Sequence, residues 1–505
     1  MTDIKREIER KYESDAGVLP DLTGADGVAA VLDRGVAELD AVYYDTADER
    51  LAAAGITLRR RTGGSDAGWH LKFPVAPGVR DEIHAPLSDT VPAALAALVR
   101  SRVRRQELLP LVRIRTRRTL RHLVDADGTL LAEAAVDEVR AERPAGGGRT
   151  ARWTEIEVEL ADGGDPALLD KVEKRLRKAG VRRSPSSSKL ARALAATAGP
   201  DRRPGPPEEQ TPVTAGDHVL ACLRAQRDAL VALDPAVRRG VPDSVHRMRV
   251  AARRLRSVLR TYREVLDRSA TDPLREELRR LGGELGLERD QEVLDERLTA
   301  GLDALPDALV TGPVRDRLRT WSRTRRSALR GRAVAALDSR RHLELLDALD
   351  ALLADPPLRP AAAKRPAKVM TRAVRKQCAK LSALLEQALA LPPGPERDLA
   401  LHEARKQAKA VRYTAEAAVP ALGAPAAGLV RTLKALQDLL GRHQDGVMAR
   451  RALRELADQA HAEGENAFTY GVLHGREEQR AAEYEAKLPG LWEAAVAGHA
   501  DSRPV

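Results

Sequence analysis

The sequence has few aromatic residues and almost no cysteine. Aromatic residues make up 3% of its 505 positions, so we expect the cores to consist mainly of leucine, valine and alanine. The two cysteines, Cys222 and Cys378, are far apart and lie in no CxxC spacing, which argues against a disulfide framework and against a zinc site. A GxxxxGK(S/T) loop is also missing, so a P-loop mechanism is not supported.

Apolar runs long enough to span a bilayer are missing as well. The first eleven residues are densely charged, unlike the apolar region of a signal peptide. We therefore expect a soluble, cytoplasmic protein with no membrane partner. Lysine and arginine number 85 against 74 acidic residues, a net charge of +11. This excess favours polyanionic partners, but charge alone does not choose among nucleic acid, anionic lipid and phosphate polymers.

A segment rich in proline and glycine, residues 199–211, divides the sequence into two parts. Its prolines disfavour both helix and interior strand, so we expect a linker there. Residues 1–198 carry strand-like alternation, and residues 212–498 carry the helical period almost throughout. A second proline-rich patch divides the helical part into two repeats, about 212–355 and 367–498.

The N-terminal part predicts an antiparallel sheet with flanking helices. Strand-like segments are found at residues 4–12, 55–61, 69–73, 112–118, 130–137 and 153–160. Helical patterns are found at residues 25–32, 93–100 and 166–179.

Charged residues are sorted by type along these strands. Residues two apart in a strand share a face, so Glu7, Glu9 and Lys11 point the same way. The same rule groups three glutamates in one strand and three arginines in another. The further groups are Glu155, Glu157 and Glu159; Arg113, Arg115 and Arg117; Arg59 and Arg61; His70 and Lys72; Arg80 and Glu82.

Two interpretations of these faces compete. An ordinary half-exposed sheet would turn its charged face to solvent. A closed barrel with the charged face inward would instead form a polar tunnel. There, clustered carboxylates would suit Mg²⁺ or Mn²⁺, and arginine and lysine would bind phosphate oxygens. The sorting by charge type favours the tunnel, and with it phosphoryl transfer to water.

The motif Glu7-x-Glu9-x-Lys11, with the charged segments that follow it in order, resembles the CYTH family of triphosphate tunnel metalloenzymes. The resemblance covers about residues 1–198 and implies an eight-stranded antiparallel tunnel. It implies Glu7, Glu9 and Lys11 as catalytic residues. The implied metal ligands for Mg²⁺ or Mn²⁺ are Glu7, Glu9, Glu157 and Glu159. The implied phosphate contacts are Lys11, Arg59, Arg61, Lys72, Arg115, Arg117 and Lys189. His84 departs from the family pattern, because an acidic residue is expected there.

The helical part contains two basic stripes with identical spacing. The first is His246, Arg249, Arg253 and Arg256; the second is His402, Arg405, Lys409 and Arg412. Each stripe occupies one side of its helix. A second matched pair, Leu285-Gly286-x-x-x-Asp290 and Leu440-Gly441-x-x-x-Asp445, supports a duplication. Each stripe could be a solvated basic helix or one paired with neighbouring acids. The repetition instead favours an anionic ligand.

These stripes resemble the CHAD domain, the conserved-histidine α-helical module, over about residues 212–498. The resemblance implies two four-helix bundles and a surface that binds inorganic polyphosphate through the eight stripe residues. Nucleic acid is a weaker candidate, because few aromatic residues lie near the stripes to stack on bases.

The sequence therefore predicts a metal-dependent hydrolase of inorganic triphosphate or a related polyphosphate, tethered to a polyphosphate-binding module that could associate with polyphosphate granules. One alternative is a polyphosphate-binding or granule-targeting protein without turnover. A second is thiamine triphosphatase or adenylate cyclase activity in the tunnel. A general nucleic-acid binder rests on net charge alone.

Overall fold

The computed structural model describes residues 4–14, 17–25, 27–143, 149–198, 211–329 and 331–500, except for the side chains of the last six. The chain forms two compact units, Met1–Glu208 and Glu209–Val505. The predicted linker lies outside the described residues, apart from Thr211. Among the described helices, none combines the length and apolar character that a membrane span requires.

The N-terminal unit is built around one antiparallel sheet. Its strands are β1 (Ile4–Glu13), β2 (Ala30–Asp45), β3 (Thr57–Thr62), β4 (Gly68–Ala76), β5 (Val79–Ala85), β6 (Leu109–Val124), β7 (Leu130–Arg143), β8 (Arg149–Leu160) and β9 (Arg182–Arg183). Its helices are α1 (Arg50–Ala53), α2 (Ala93–Val103), α3 (Ala167–Lys178) and α4 (Lys189–Ala196).

The sheet closes into a ring of eight strands. The strand order is β5-β4-β3-β2-β6-β7-β8-β1, with β9 added beside β1, and β1 also pairs with β5. Closure pairs strand edges that would otherwise be open to another chain. The predicted antiparallel tunnel is confirmed.

The outer face of this ring is apolar and is covered by helices. Ile156 and Val158 of β8 pack in one cluster with Leu169 and Val172 of α3. Two further clusters join other strands to α2 and to α4. Burial of these apolar faces outside the ring leaves the alternate, charged side chains pointing inward.

The helix predicted over residues 25–32 is wrong, because β2 begins at Ala30. Strand β2 pairs with β6 along a ladder that runs from Ala30 opposite Val124 to Asp45 opposite Leu109. Long-range pairing therefore overrides the local helical preference of the alanine and leucine residues.

The described residues of the C-terminal unit form helices joined by loops, with an isolated β-bridge between Leu266 and Leu358. Its α-helices are α5 (Ala215–Arg238), α6 (Ser244–Thr261), α7 (Arg268–Glu284), α8 (Gly286–Asp303), α9 (Val314–Leu329), α10 (Arg332–Asp338), α11 (Arg340–Ala354), α12 (Pro366–Ala390), α13 (Pro395–Leu422), α14 (Ala424–Ala462) and α15 (Phe468–Ala500). A capping box formed by Thr214 and Asp217 begins α5 and satisfies its first backbone donors. The all-helical class predicted for this part is confirmed.

Helices α6 and α13, which carry the two basic stripes, pack into a common core. Met248 and Leu255 of α6 and Ala408 and Val411 of α13 belong to one buried cluster. The hydroxyl of Tyr262, just after α6, donates to the carbonyl oxygen of Thr414 at 3.2 Å. The packing of these two helices brings the two stripes near each other. The boundaries of the two repeats themselves stay predictions.

Candidate functional site

The inside of the ring is a charged cavity of about 380 Å³. Its charged and aromatic lining residues are Lys5, Glu7, Glu9, Lys11, Tyr43, Arg59, Arg61, Asp66, His70, Lys72, Arg80, Glu82, His84, Arg118, Glu133, Glu157, Glu159 and Lys189. Strand register explains the grouping on one wall. In the pairing of β1 with β8, Glu9 lies opposite Glu159 and Lys11 lies opposite Glu157.

Glu157 is the most heavily paired carboxylate in the cavity. Lys11 contacts it, and Arg118 and Lys189 each approach it at 2.5 Å. Burial alone would raise the pKa of Glu157, but these cations outweigh it and hold the pKa well below its usual range. Glu157 is therefore ionised and held in place by three cations.

The pKa of a second carboxyl group, Glu7, is shifted in the opposite direction. Lys72 donates to Glu7 at 2.5 Å, and Nδ1 of His70 lies 2.8 Å from Glu82. Burial raises the pKa of Glu7 to about 8, and the hydrogen bond that Glu7 shares with Glu82 adds to this. Two carboxyl groups this close disfavour ionisation of both, and the Lys72 ammonium beside them offsets this effect only in part.

Arginines crowd together on another part of the cavity wall. Burial lowers the pKa of Arg61 to about 9, and the neighbouring guanidinium groups of Arg59 and Arg118 add to this. Arg59 also donates to the hydroxyl of Tyr43 at 3.3 Å. Buried like charges of this kind repel one another until an anion lies between them.

The structure contradicts the prediction that Arg115 and Arg117 are phosphate contacts, because the neighbouring positions on β6 are the ones that face inward. The side chains of Arg115 and Arg117 are 48% and 57% exposed and face acidic residues on the outside of the ring. Alternation along β6 instead points Thr116 and Arg118 into the cavity. Arg118 donates to both oxygens of Asp137, at 2.8 and 2.7 Å.

Sequence reasoning also missed Asp137, which is fully buried on β7. In the pairing of β7 with β8 it lies opposite Glu155, and Lys189 approaches both carboxylates at 2.8 Å. A usable signal was present, because Glu133 and Asp137 are four apart and so share a strand face.

The cavity has the donor set that a hard divalent cation requires. Carboxylate oxygens of Asp137, Glu155 and Glu157 lie within 4.8 Å of one another; Glu157 lines the cavity, the other two lie behind it, and Lys189 contacts all three. The predicted ligands Glu7, Glu9, Glu157 and Glu159 all line the same cavity. The raised pKa of Glu7 beside Glu82 indicates that further positive charge would be favourable there. Oxygen-rich, carboxylate-dominated sites suit Mg²⁺ or Mn²⁺, and these residues fit such an ion.

In the helical unit, each of the two Leu-Gly-x-x-x-Asp segments lies beside the first arginine of one stripe. Arg249 donates to both oxygens of Asp290, at 2.7 and 3.0 Å. A Cβ on Gly286 would lie 2.6 Å from the guanidinium carbon of Arg249, so only glycine leaves room for it. In the other repeat, Arg405 passes over Gly441.

The two stripes meet around a cavity of about 670 Å³. Arg253 and Arg256 from α6 and Lys409 from α13 line it. Burial lowers the pKa of Lys409 to about 7, and Arg405, Arg253 and Arg249 add to this. Asp272, Glu276 and Glu403 pair with other basic residues of the lining, so the described acidic residues neutralise only part of the positive charge in this cavity.

The remaining stripe residues lie outside this cavity. His246 is exposed, and Nδ1 of His402 lies 2.8 Å from the side-chain oxygen of Gln444. Arg412 turns towards Gln437 and Glu416, to which it donates at 2.8 and 2.6 Å. The structure thus groups Arg253, Arg256 and Lys409 and leaves Arg412 in a local ion pair.

Comparison with known proteins identifies both units. The CYTH domain model matches residues 5–194, and the CHAD domain model matches residues 221–454. The chain therefore belongs to the CYTH family through its N-terminal unit and to the CHAD family through its C-terminal unit. An uncharacterized protein of Mycobacterium tuberculosis is 39% identical over 487 residues, which cover 93% of this chain and 92% of that protein.

Two solved structures match part of this chain. PptA from Streptomyces chartreusis is 23% identical with a TM-score of 0.48, over 56% of this chain and 100% of that one. The CHAD domain from the plant Ricinus communis is 25% identical with a TM-score of 0.43, over 57% of this chain and 91% of that one.

Proposed function

We propose that the tunnel hydrolyses inorganic triphosphate, or a related short polyphosphate, with Mg²⁺ or Mn²⁺ as cofactor. The observation that carries this proposal is the pairing, in one cavity, of a carboxylate wall with a cluster of buried arginines. A phosphate chain together with a metal ion supplies the charges that each group needs. Either group alone would be costly to bury.

The roles divide between the two walls. Glu7, Glu9, Glu157 and Glu159 are the proposed metal ligands. Arg59, Arg61, Lys72 and Lys189, with Arg118 added from the structure, are the proposed phosphate contacts. A metal ion held by these carboxylates would supply an orienting charge for the attacking water and stabilisation for the charge on the transferred phosphoryl group.

Lys11 is the proposed phosphate contact within the carboxylate wall. It contacts both Glu9 and Glu157, and its distance to Glu9 is 2.9 Å. Burial opposes its charge, but these carboxylates outweigh burial and raise the pKa of Lys11. Lys11 therefore stays protonated, orients both carboxylates and can donate to a phosphate oxygen.

A substrate without an organic group fits the lining best. Among the described lining residues, Tyr43 is the one aromatic side chain apart from two histidines, and it is buried against Arg59. An adenine or thiazolium ring would find little apolar surface there.

The tunnel proposal is tested by measuring phosphate release from inorganic triphosphate, thiamine triphosphate and ATP, with Mg²⁺, with Mn²⁺ and with EDTA. We expect metal-dependent release that is fastest from inorganic triphosphate. Faster turnover of an organic triphosphate would assign a different substrate. Binding of triphosphate without release would leave a non-catalytic polyphosphate-binding protein.

We also propose that the helical unit binds inorganic polyphosphate at the cavity between α6 and α13. The supporting observation is the depressed pKa of Lys409 among like charges, which a polyanion would relieve. Loss of a bound arginine should weaken binding and flatten its dependence on salt. Titration of the full chain with long-chain polyphosphate should therefore show weaker binding for Arg253→Ala than for Arg340→Ala. Arg340 is 81% exposed and lies outside that cavity. Equal affinities for the two variants would contradict the proposal.

A further inference from the structure

We propose that a second basic cavity, between the end of α6 and α12, continues the polyphosphate-binding surface and makes affinity depend on chain length. This inference rests on the proposed polyphosphate binding at the first cavity, between α6 and α13. Neither stripe predicts the second cavity, because its residues follow the first stripe or lie on a helix that carries no stripe.

The second cavity has a volume of about 260 Å³. Arg263, which follows α6, and Lys376 of α12 line it and do not line the first cavity. Arg260 and Lys380 line both cavities. The two cavities are therefore neighbours, with Arg260 and Lys380 at their common border.

The spacing along α6 gives the direction of this surface. Arg253, Arg256 and Arg260 follow at intervals of three and four residues, so they lie along one side of the helix, and Arg263 lies in the turn just after its end. At about 1.5 Å per residue, Arg253 and Arg260 are roughly 10 Å apart along the helix axis. A polymer that follows this side passes from the first cavity into the second.

Positive charge in the second cavity is largely unpaired. Arg263, Lys376 and Lys380 form no ion pair with an acidic side chain within the described ranges. Glu264 is the one acidic residue among the described lining, and it faces Arg372 at 3.5 Å. In the first cavity, by contrast, Asp272, Glu276 and Glu403 each neutralise a neighbouring basic residue. The second cavity thus keeps an excess of charge for an external anion.

The lining favours a phosphate polymer over nucleic acid. Tyr262 is the one aromatic residue among the described lining of the second cavity, and it is 1% exposed. A buried ring offers no platform on which bases can stack. A flexible chain of phosphates needs only the row of cations.

Chain length decides whether the second cavity is used. A short polyphosphate fits the first cavity alone, whereas a longer chain held there presents its next phosphates to Arg263 and Lys376. The second contact is then intramolecular, so it adds affinity without a new association step. Affinity should rise with length until both cavities are filled.

The test is isothermal titration of the full chain with a graded series of inorganic polyphosphates, from triphosphate to long chains, in EDTA to suppress metal-dependent turnover. The test variant is Arg263→Ala/Lys376→Ala. The control, Arg375→Ala/Lys368→Ala, removes one arginine and one lysine from exposed positions of α12 that line neither cavity.

For long chains we expect the test variant to bind about three- to tenfold more weakly than the control, as expected for two exposed charge contacts. Its affinity for triphosphate should equal that of the control. Equal affinities for long chains, or an equal loss at every length, would overturn the proposal. Competition by single-stranded DNA as strong as that by polyphosphate would overturn the assigned polymer.

Failure of the underlying function gives a different result. If the unsubstituted chain binds no long-chain polyphosphate, or if Arg253→Ala leaves its affinity unchanged, the first cavity is not a polyphosphate site. Loss of the length effect alone leaves the first cavity intact as that site.

Discussion

Neighbouring arginines on β6 should differ sharply in their contribution to stability, because they lie on opposite faces of the ring. Arg118 makes three hydrogen bonds to buried carboxylates, two to Asp137 and one to Glu157. Arg117 faces solvent and lies 3.7 Å from each of two exposed glutamates. We therefore compare Arg118→Ala with Arg117→Ala.

The magnitudes follow from burial. Removal of one partner from a buried ion pair costs about 3–5 kcal/mol. Lys189 stays within 2.8 Å of Asp137 and offsets part of this loss, so we expect about 2–3 kcal/mol for Arg118→Ala. An exposed pair contributes about 0–1 kcal/mol, which sets the expectation for Arg117→Ala.

The measurement is scanning calorimetry of both full-length variants, with hydrogen exchange of peptides from β6 and β7 to assign the transition. For a unit of this size, a loss of 2–3 kcal/mol lowers the melting temperature by about 5–10 °C. A shift for Arg117→Ala as large as that for Arg118→Ala would refute the inward orientation of Arg118.

Three further outcomes are expected. The affinity of the full chain for long polyphosphate, measured by titration, should fall about three- to tenfold between pH 6 and 8. The reason is that Lys409, with a pKa of about 7, loses its charge in that range. The Lys409→Arg variant should show no such fall. Gly286→Ala should weaken polyphosphate binding by displacing Arg249, which lies outside the first cavity but whose charge acts on Lys409 within it. Gly441→Ala, whose nearest contact would be 3.9 Å away, should leave binding unchanged, and equal affinities of the two variants would contradict the role of Gly286. In calorimetry, Mn²⁺ at a hundred times its dissociation constant should stabilise the N-terminal unit by about 2.7 kcal/mol. This stabilisation should be smaller in Glu9→Gln. The same stabilisation in that variant would show that Glu9 is not a metal ligand.

Strand alternation was sufficient to predict one wall of the tunnel. Glu7, Glu9 and Lys11 alternate with Ile8 and Arg10, so only one assignment of faces puts all three together. The same rule predicts the face shared by the glutamates of β8. The period of a strand is two, and it needs no knowledge of the partner strand.

The register of β6 could not be predicted in this way. Both faces of this strand carry arginine, with Arg115 and Arg117 on one face and Arg118 on the other. Only the pairing with β7, which sets Arg118 opposite Asp137, decides which face is inside. Such pairing depends on contacts distant in sequence, and a single strand does not contain that information.

In the helical unit, spacing predicted the stripes but not their partners. His246-x-x-Arg249 and its repeat follow from the helical period. Local spacing could not show that Arg412 donates to Gln437 of a neighbouring helix, or that Lys376 of α12 joins the basic surface. These contacts depend on how helices pack, which is decided by the buried faces rather than by the charged ones.

The central claim is that the carboxylates of β1 support hydrolysis of triphosphate in the tunnel. The most direct measurement is the initial rate of phosphate release from inorganic triphosphate with saturating Mn²⁺, for the unsubstituted chain, for Glu7→Gln/Glu9→Gln and for Arg117→Ala as a surface control. We expect the rate to fall at least about a hundredfold in the double variant, which is the effect of losing one group that stabilises the transition state. We expect little change in the rate of the control. Release by the double variant at the rate of the unsubstituted chain would contradict the central claim.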